Sequence, residues 1–181
     1  MEIEELDTYI SKFIQGGFWQ NDMRVLKEEI EKLKPGDVYV EIGVDEGKSA
    51  RVAHEYAPEG VLKLYIDIHD PLPHSVSIGR GPWMEQEKMV GINCTGFYVH
   101  GDADQFAKIF KEPFVSLCFI DGHHGYDDVK QNTLMWEPLM KKGSTMLFHD
   151  TDYPEGVLKW MNEHYGKNWE NLHGKVGRVR K

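Results

Sequence analysis

Two stretches of this chain carry residues that could do chemistry, and each follows an apolar run. They are Phe119-Ile120-Asp121-Gly122-His123-His124-Gly125-Tyr126 and Phe148-His149-Asp150-Thr151. Apolar runs of this length read as buried strands, and neighbouring parallel strands present their carboxyl ends side by side. Asp121 and Asp150 should therefore converge, flanked by His124 and His149. Two carboxylates with imidazoles beside them can hold a divalent cation. Oxygen ligands favour Mg²⁺, and the imidazoles also admit Mn²⁺, Fe²⁺ or Zn²⁺. The same acids could equally cap the helices that follow, with solvated histidines. Sequence alone leaves both readings open.

A third segment, Glu41-Ile42-Gly43-Val44-Asp45-Glu46-Gly47-Lys48-Ser49, sits between an apolar run and a helical pattern. Glycines there let the backbone turn and approach a ligand with no Cβ in the way. The helix that follows offers unpaired N–H groups to a carboxylate. The spacing is Gly-x-x-x-Gly, unlike the dinucleotide pattern Gly-x-Gly-x-x-Gly. The acid ahead of it would repel a pyrophosphate and suit an ammonium. A side chain at Gly43 is expected to intrude on the ligand and leave the fold intact. Asp67 follows at roughly the 20-residue spacing at which α/β folds place an acid for ribose hydroxyls. Asp70 competes for that role.

These residues need strands and helices in alternation to bring them together. Residues before Lys34 read as a helical segment, with Val25, Leu26, Ile30 and Leu33 on one apolar face. Strands are predicted at Val38 to Ile42, Leu62 to Ile68, Phe97 to His100, Phe114 to Ile120 and Thr145 to Phe148. Helices are predicted at Ser49 to Tyr56, Asp104 to Phe110, Tyr126 to Met140 and Glu155 to His164. The stretch up to Val179 could add an edge strand or a hairpin. Asp70 to Asn93, with its prolines and glycines, reads as a long loop holding a helix over Met84 to Val90. The pattern specifies an α/β fold, a doubly wound and mostly parallel sheet with helices on both faces.

Bulk properties narrow the partners. The 181 residues suit one domain and are too few for two. With 30 acidic residues against 21 basic ones, the net charge of −9 argues against nucleic acid as a partner. The basic tail Lys175, Arg178, Arg180, Lys181 reads as a frayed, solvated end. No run approaches the roughly 20 apolar residues of a membrane helix, and the acidic start is unlike a signal peptide. With only Cys94 and Cys118, no disulfide framework is expected, which points to the cytoplasm. A small-molecule partner remains, and a homo-oligomer is compatible with all of this.

Taken together, these segments resemble a branch of the class I methyltransferases, a family 24-like group. It includes small-molecule and sugar O-methyltransferases and cephalosporin-hydroxylase-like enzymes. The resemblance covers about Val38 to Val157, the core of one domain over residues 1–181. Its most specific part is ordered: Ile120-Asp121-Gly122-x-His124-x-Tyr126, then Val129, Trp136 and Leu139, then a glycine before a strand ending His149-Asp150.

The resemblance implies a Rossmann-like methyltransferase fold with S-adenosylmethionine as cofactor and an in-line methyl transfer to a small-molecule oxygen. It implies that Glu41 and Gly43 line the methionine end, with Gly47 and Ser49 in the same loop. Asp67 would take the ribose hydroxyls, and Asp102 and Ala103 would lie beside the adenine. Asp121 would serve both cofactor and catalysis, with His124 as base. Asp121, His149 and Asp150 would hold Mg²⁺ or another divalent cation.

The chain also departs from the pattern. Asp45 replaces a common glycine, His123 a frequent Asp, Asn132 a common acid and His149 a usual acid. The segment Pro71 to Gly91, with Trp83, is expected to line or cover the acceptor pocket. Two other readings compete: a metal-dependent hydrolase using Asp121, His124, His149 and Asp150, and a catalytically silent cofactor-binding protein.

Overall fold

Alternation along the first strand decides the architecture. In β1 (Val38–Ile42), Tyr39 and Glu41 face one side, Val40 and Ile42 face the other, and all four are buried. A strand buried on both faces belongs at the centre of a parallel sheet. The computed structural model describes residues 1–11, 17–45, 47–68 and 96–181. Asp70, Cys94, the predicted helix Met84 to Val90 and the predicted acceptor loop Pro71 to Gly91 lie outside the described residues.

The strands that follow are β2 (Leu62–Asp67), β3 (Gly96–His100), β4 (Val115–Ile120), β5 (Met140–Phe148), β6 (Trp169–Asn171) and β7 (Gly177–Arg180). They form one seven-stranded sheet in the order β3-β2-β1-β4-β5-β7-β6. Its strands pair in parallel from β3 across to β5, and β7 runs antiparallel to both β5 and β6. This is the expected doubly wound sheet, closed by a hairpin at one edge. The strand order reverses between β1 and β4, which opens a crevice at their carboxyl ends.

Two cores pack against the two faces. Helices α1 (Ile3–Ile10), α2 (Gln20–Ile30) and α3 (Lys48–Tyr56) bury Leu6, Ile10, Met23, Leu26, Ile30 and Val52 against Tyr39, Leu117, Phe119 and Leu147. On the other face, α4 (Ala103–Ala107), α5 (Tyr126–Trp136) and α6 (Val157–Tyr165) bury Ala107, Val129, Trp136 and Met161 against Val40, Cys118, Ile120 and Phe148. Cys118 is fully buried, and burial pushes its thiol far above the usual range.

Boundaries differ where local chemistry intervenes. The helix predicted to run to Met140 stops at Trp136, because Pro138 cannot continue the hydrogen-bond ladder. A 3₁₀ turn over Glu137–Leu139 follows, and β5 begins earlier than predicted, at Met140. The helix predicted over Asp104 to Phe110 is shorter, ending at Ala107.

The basic tail is not frayed. Its residues Gly177–Arg180 form β7, where Arg178 pairs with Glu29 at 2.6 Å and with Glu170 at 2.5 Å, and just past the strand Lys181 pairs with Glu137 at 2.7 Å. Sequence could not see these partners because most of them lie far away along the chain.

Trp136 is among the largest side chains with no exposure. Replacing it with alanine should leave a cavity beneath the sheet and cost about 3–5 kcal/mol. Urea denaturation of Trp136→Ala checks this, and a loss below about 1 kcal/mol would contradict the packing described here.

Candidate active site

A cavity of about 480 Å³ opens at the carboxyl ends of the strands, over the crevice between β1 and β4. That size suits a small organic ligand. Its floor begins with the loop after β1. Asp67, at the end of β2, accepts hydrogen bonds from the Val44 amide at 2.7 Å and the Asp45 amide at 2.8 Å, both at Oδ2. The acid predicted for ribose thus also fastens the glycine loop. Asp45 adopts a left-handed φ of 48°, a conformation that glycine favours and aspartate tolerates. That explains how an acid can stand where a glycine is common.

Gly43, at φ +83°, is more constrained. A Cβ built there would lie 2.3 Å from the Asp121 carbonyl oxygen and 2.5 Å from Gly122 Cα. The loop after β1 and the end of β4 touch backbone to backbone. The expectation that a side chain at Gly43 would spare the fold is therefore overturned: it would strike the Asp121–Gly122 main chain. Gly47, also left-handed at φ +84°, starts α3, and its amide donates to the Val44 carbonyl at 2.8 Å.

Glu41 is not among the residues lining the cavity. Strand alternation sends its side chain into the α1–α3 face with Tyr39. There the Tyr39 hydroxyl donates to it at 2.7 Å and the Ser49 hydroxyl at 2.5 Å. Burial pushes this carboxyl up to about 8, although the two hydroxyls pull the other way. It is a poor partner for an ammonium at neutral pH. Ser49 reaches the cavity wall with its hydroxyl committed to Glu41. Asp102 caps α4, accepting from the Asp104 amide at 2.8 Å and the Gln105 amide at 3.2 Å, and Ala103 lines the cavity beside it.

At the far end of the cavity, β4 and β5 deliver Asp121 and Asp150 as expected. Asp121, His124 and Asp150 each offer a ligand atom, and these atoms lie within 4.8 Å of one another. His124 Nε2 lies 2.9 Å from Asp150 Oδ2, with the imidazole side chain 47% exposed. That hydrogen bond raises the His124 pKa, against the effect of burial. The His124 and His149 hydrogen bonds hold the Asp150 carboxyl far below the usual carboxylate range. Burial raises the pKa of Asp121.

His149 occupies a different position from the one expected. Its side chain is 4% exposed, with Nδ1 3.0 Å from Asp121 Oδ1 and 3.2 Å from Asp150 Oδ2. It lies behind the two acids and bridges them, while His124 completes the converging set. Burial disfavours its charge, but the carboxylates of Asp121 and Asp150 at its Nδ1 and of Asp22 3.5 Å from its Nε2 outweigh that and raise its pKa to about 12.

The family described as a methyltransferase domain, family 24, matches residues 40–151 of the 181. The chain belongs to this methyltransferase family. No curated protein matched it. Among solved structures it is similar to MycE, a methyltransferase of the mycinamycin biosynthetic pathway solved with Mg and SAH. The identity is 16% and the TM-score 0.66, covering 98% of this chain and 54% of that one. The chain thus spans about half the length of MycE. It is also similar to an O-methyltransferase from Bacillus cereus in complex with SAH (14%, TM-score 0.66, covering 99% and 90%). A SAM-dependent O-methyltransferase from Thermotoga maritima is a third (13%, TM-score 0.67, covering 97% and 70%).

The sequence pattern did not mark the amino-terminal segment of the chain as part of the cavity. Gly17 and Phe18 line the cavity, and Asp22 on α2 lies 3.5 Å behind His149. No motif marks these residues; the only signal was an aspartate on the apolar side of an amphipathic helix.

Two measurements test the loop. Gly43→Ala should lose on the order of 3 kcal/mol of stability from the backbone clash, read by urea denaturation. A fully stable Gly43→Ala would refute the close approach. Glu41 sets a pH dependence. Its folded carboxyl titrates near 8, above the ordinary 4.5, so its contribution to stability is full below about 4.5 and is lost as pH rises through about 8. Wild-type stability should therefore fall relative to Glu41→Gln across that window. Parallel stability profiles of the two proteins would count against a buried, neutral Glu41.

Proposed function

We propose that this methyltransferase moves a methyl group from S-adenosylmethionine to an oxygen of a small-molecule acceptor. One observation carries the reading: the Asp67-fastened glycine loop and the Asp121–His124–Asp150 cluster open into the same cavity. S-adenosylmethionine brings a methyl group that is already activated, so the protein has to position reactants and handle one proton. The SAH bound to MycE and to the Bacillus cereus enzyme supports this choice of cofactor.

The chain's residues divide the work. Gly43 and the amides held by Asp67 shape the methionine end, and Ala103, beside the cap formed by Asp102, lies where an adenine would stack. Asp150 orients the His124 imidazole through Nε2, which leaves Nδ1 to take the acceptor's proton. The same cluster fits a divalent cation: two carboxylates and one imidazole converge on one point. Asp121, His124 and Asp150 would hold it, and a cation there would take the place of His124 as base, because an imidazole that ligates it has no lone pair left for a proton; it would act by lowering the pKa of an acceptor hydroxyl. A hydrolase reading leaves the Asp67-fastened loop without a purpose.

S-adenosylhomocysteine should bind in calorimetry, and a panel of hydroxylated small molecules should contain a methyl acceptor. With that acceptor, His124→Ala should slow transfer by about 10²–10⁴-fold while cofactor affinity stays unchanged. No binding of S-adenosylhomocysteine, even at millimolar concentration, would overturn the reading.

A further inference from the structure

We infer that a second ligand site, for a small phosphate group, lies at the amino ends of β4 and β5, at the opposite end of the sheet from the reaction cavity. A cavity of about 210 Å³ opens there between the end of α2 and the sheet. Strand register sets its floor: Leu117, Thr145 and Arg180 stand side by side on β4, β5 and β7. Paired residues on neighbouring strands point to the same face. Leu117 packs into the core beneath α1 to α3, so Thr145 and Arg180 face α2 as well.

Four cations line this cavity, Lys32, Lys141, Lys142 and Arg180, against two acids, Glu29 and Asp37. Both acids are already met. Glu29 takes the Lys32 ammonium and the Arg178 guanidinium, each at 2.6 Å. Asp37 accepts from the Ser116 hydroxyl at 2.7 Å, with Lys141 Nζ 3.7 Å away. Arg180 comes no nearer than 3.9 Å to Glu29 or Glu170, too far for a hydrogen bond. Lys142 has no ion pair among the described residues. The Thr145 hydroxyl, in a residue only 7% exposed, likewise has no hydrogen-bond partner among the described residues. A guanidinium fork, an ammonium and a buried hydroxyl are the donors that phosphate oxygens accept, and the two unmatched positive charges suit a dianion. In a chain of net charge −9, this local excess is what would draw an anion to one place. The cavity leaves room beyond the phosphate itself, so a free ion and the phosphate of a small ester share this chemistry.

The test uses the full chain in phosphate-free buffer at fixed ionic strength, with inorganic phosphate and glycerol 3-phosphate as probes. Phosphate should shift the backbone amides of Lys141 to Thr145 and of Arg180 saturably in nitrogen-15 NMR. Tighter binding of the ester assigns the site to phosphate esters, and equal or weaker binding assigns it to the free ion. Lys142→Gln combined with Arg180→Gln should weaken phosphate binding by at least about tenfold, through the loss of two charge-assisted hydrogen bonds. Thr145→Val, which removes a single neutral one, should weaken it by about 2–10-fold. Unchanged affinity in either folded protein would overturn the site. So would shifts centred on the reaction cavity, or no saturable shift of wild type at tens of millimolar phosphate, and that mapping decides without any variant. Failure to bind S-adenosylhomocysteine would strike the proposed function and leave this site standing.

Discussion

The contact between Gly43 and the Asp121–Gly122 backbone is the constraint on which the site depends. The strand order reverses there, so β1 and β4 are neighbours whose following loops leave toward opposite faces. Crevices of this kind normally gape. Here the two loops close to within the reach of one Cβ, which only glycine at a left-handed φ allows. Because they touch, the loop fastened by Asp67 and the acids at the ends of β4 and β5 share one cavity. With a side chain at position 43, the loop after β1 would be pushed off the Asp121–Gly122 backbone and away from the acid cluster.

Three acids near that crevice show how placement, rather than residue type, sets chemistry. Glu41 enters the core with two hydroxyl donors, too few to offset burial, and its carboxyl is driven toward the neutral form. Asp150 receives two histidines and stays ionised. Asp67 receives two backbone amides and becomes a structural clamp as well as a wall of the cavity. A buried charge survives only where enough donors meet it. At the Asp121–Asp150 end of the cavity, two histidines meet that requirement.

Much of this was legible in the sequence. Apolar runs ending in Asp121 and Asp150, and the glycine loop after Ile42, predicted the parallel sheet and its crevice. A short continuous apolar run is a local property, so β1 and β4 could be read directly. The face occupied by Glu41 was misjudged because the motif was matched by position, while strand alternation assigns its side chain to the opposite side from Ile42. Pro138 carried a readable stop that the helical pattern around it obscured. The roles of His124 and His149 could not be separated, because burial distinguishes them and burial depends on Phe18 and Asp22, over a hundred residues earlier.

Those distant contacts tie α2 to the carboxyl-terminal hairpin beside the cavity. Asp22 meets Lys175, and Glu29 meets Arg178, so α2 is bound to the closing hairpin along its length. Neither end has a motif, yet together they close the sheet face behind His149. Three carboxylates, from Asp22, Asp121 and Asp150, crowd one imidazole, and without cationic partners they would repel one another in a poorly solvated region. His149 joins all three, and Lys175 supplies a further charge 3.5 Å from Asp150. The tail that composition alone would write off as solvated is thus part of the charge balance that lets two acids stand side by side at the end of a cavity.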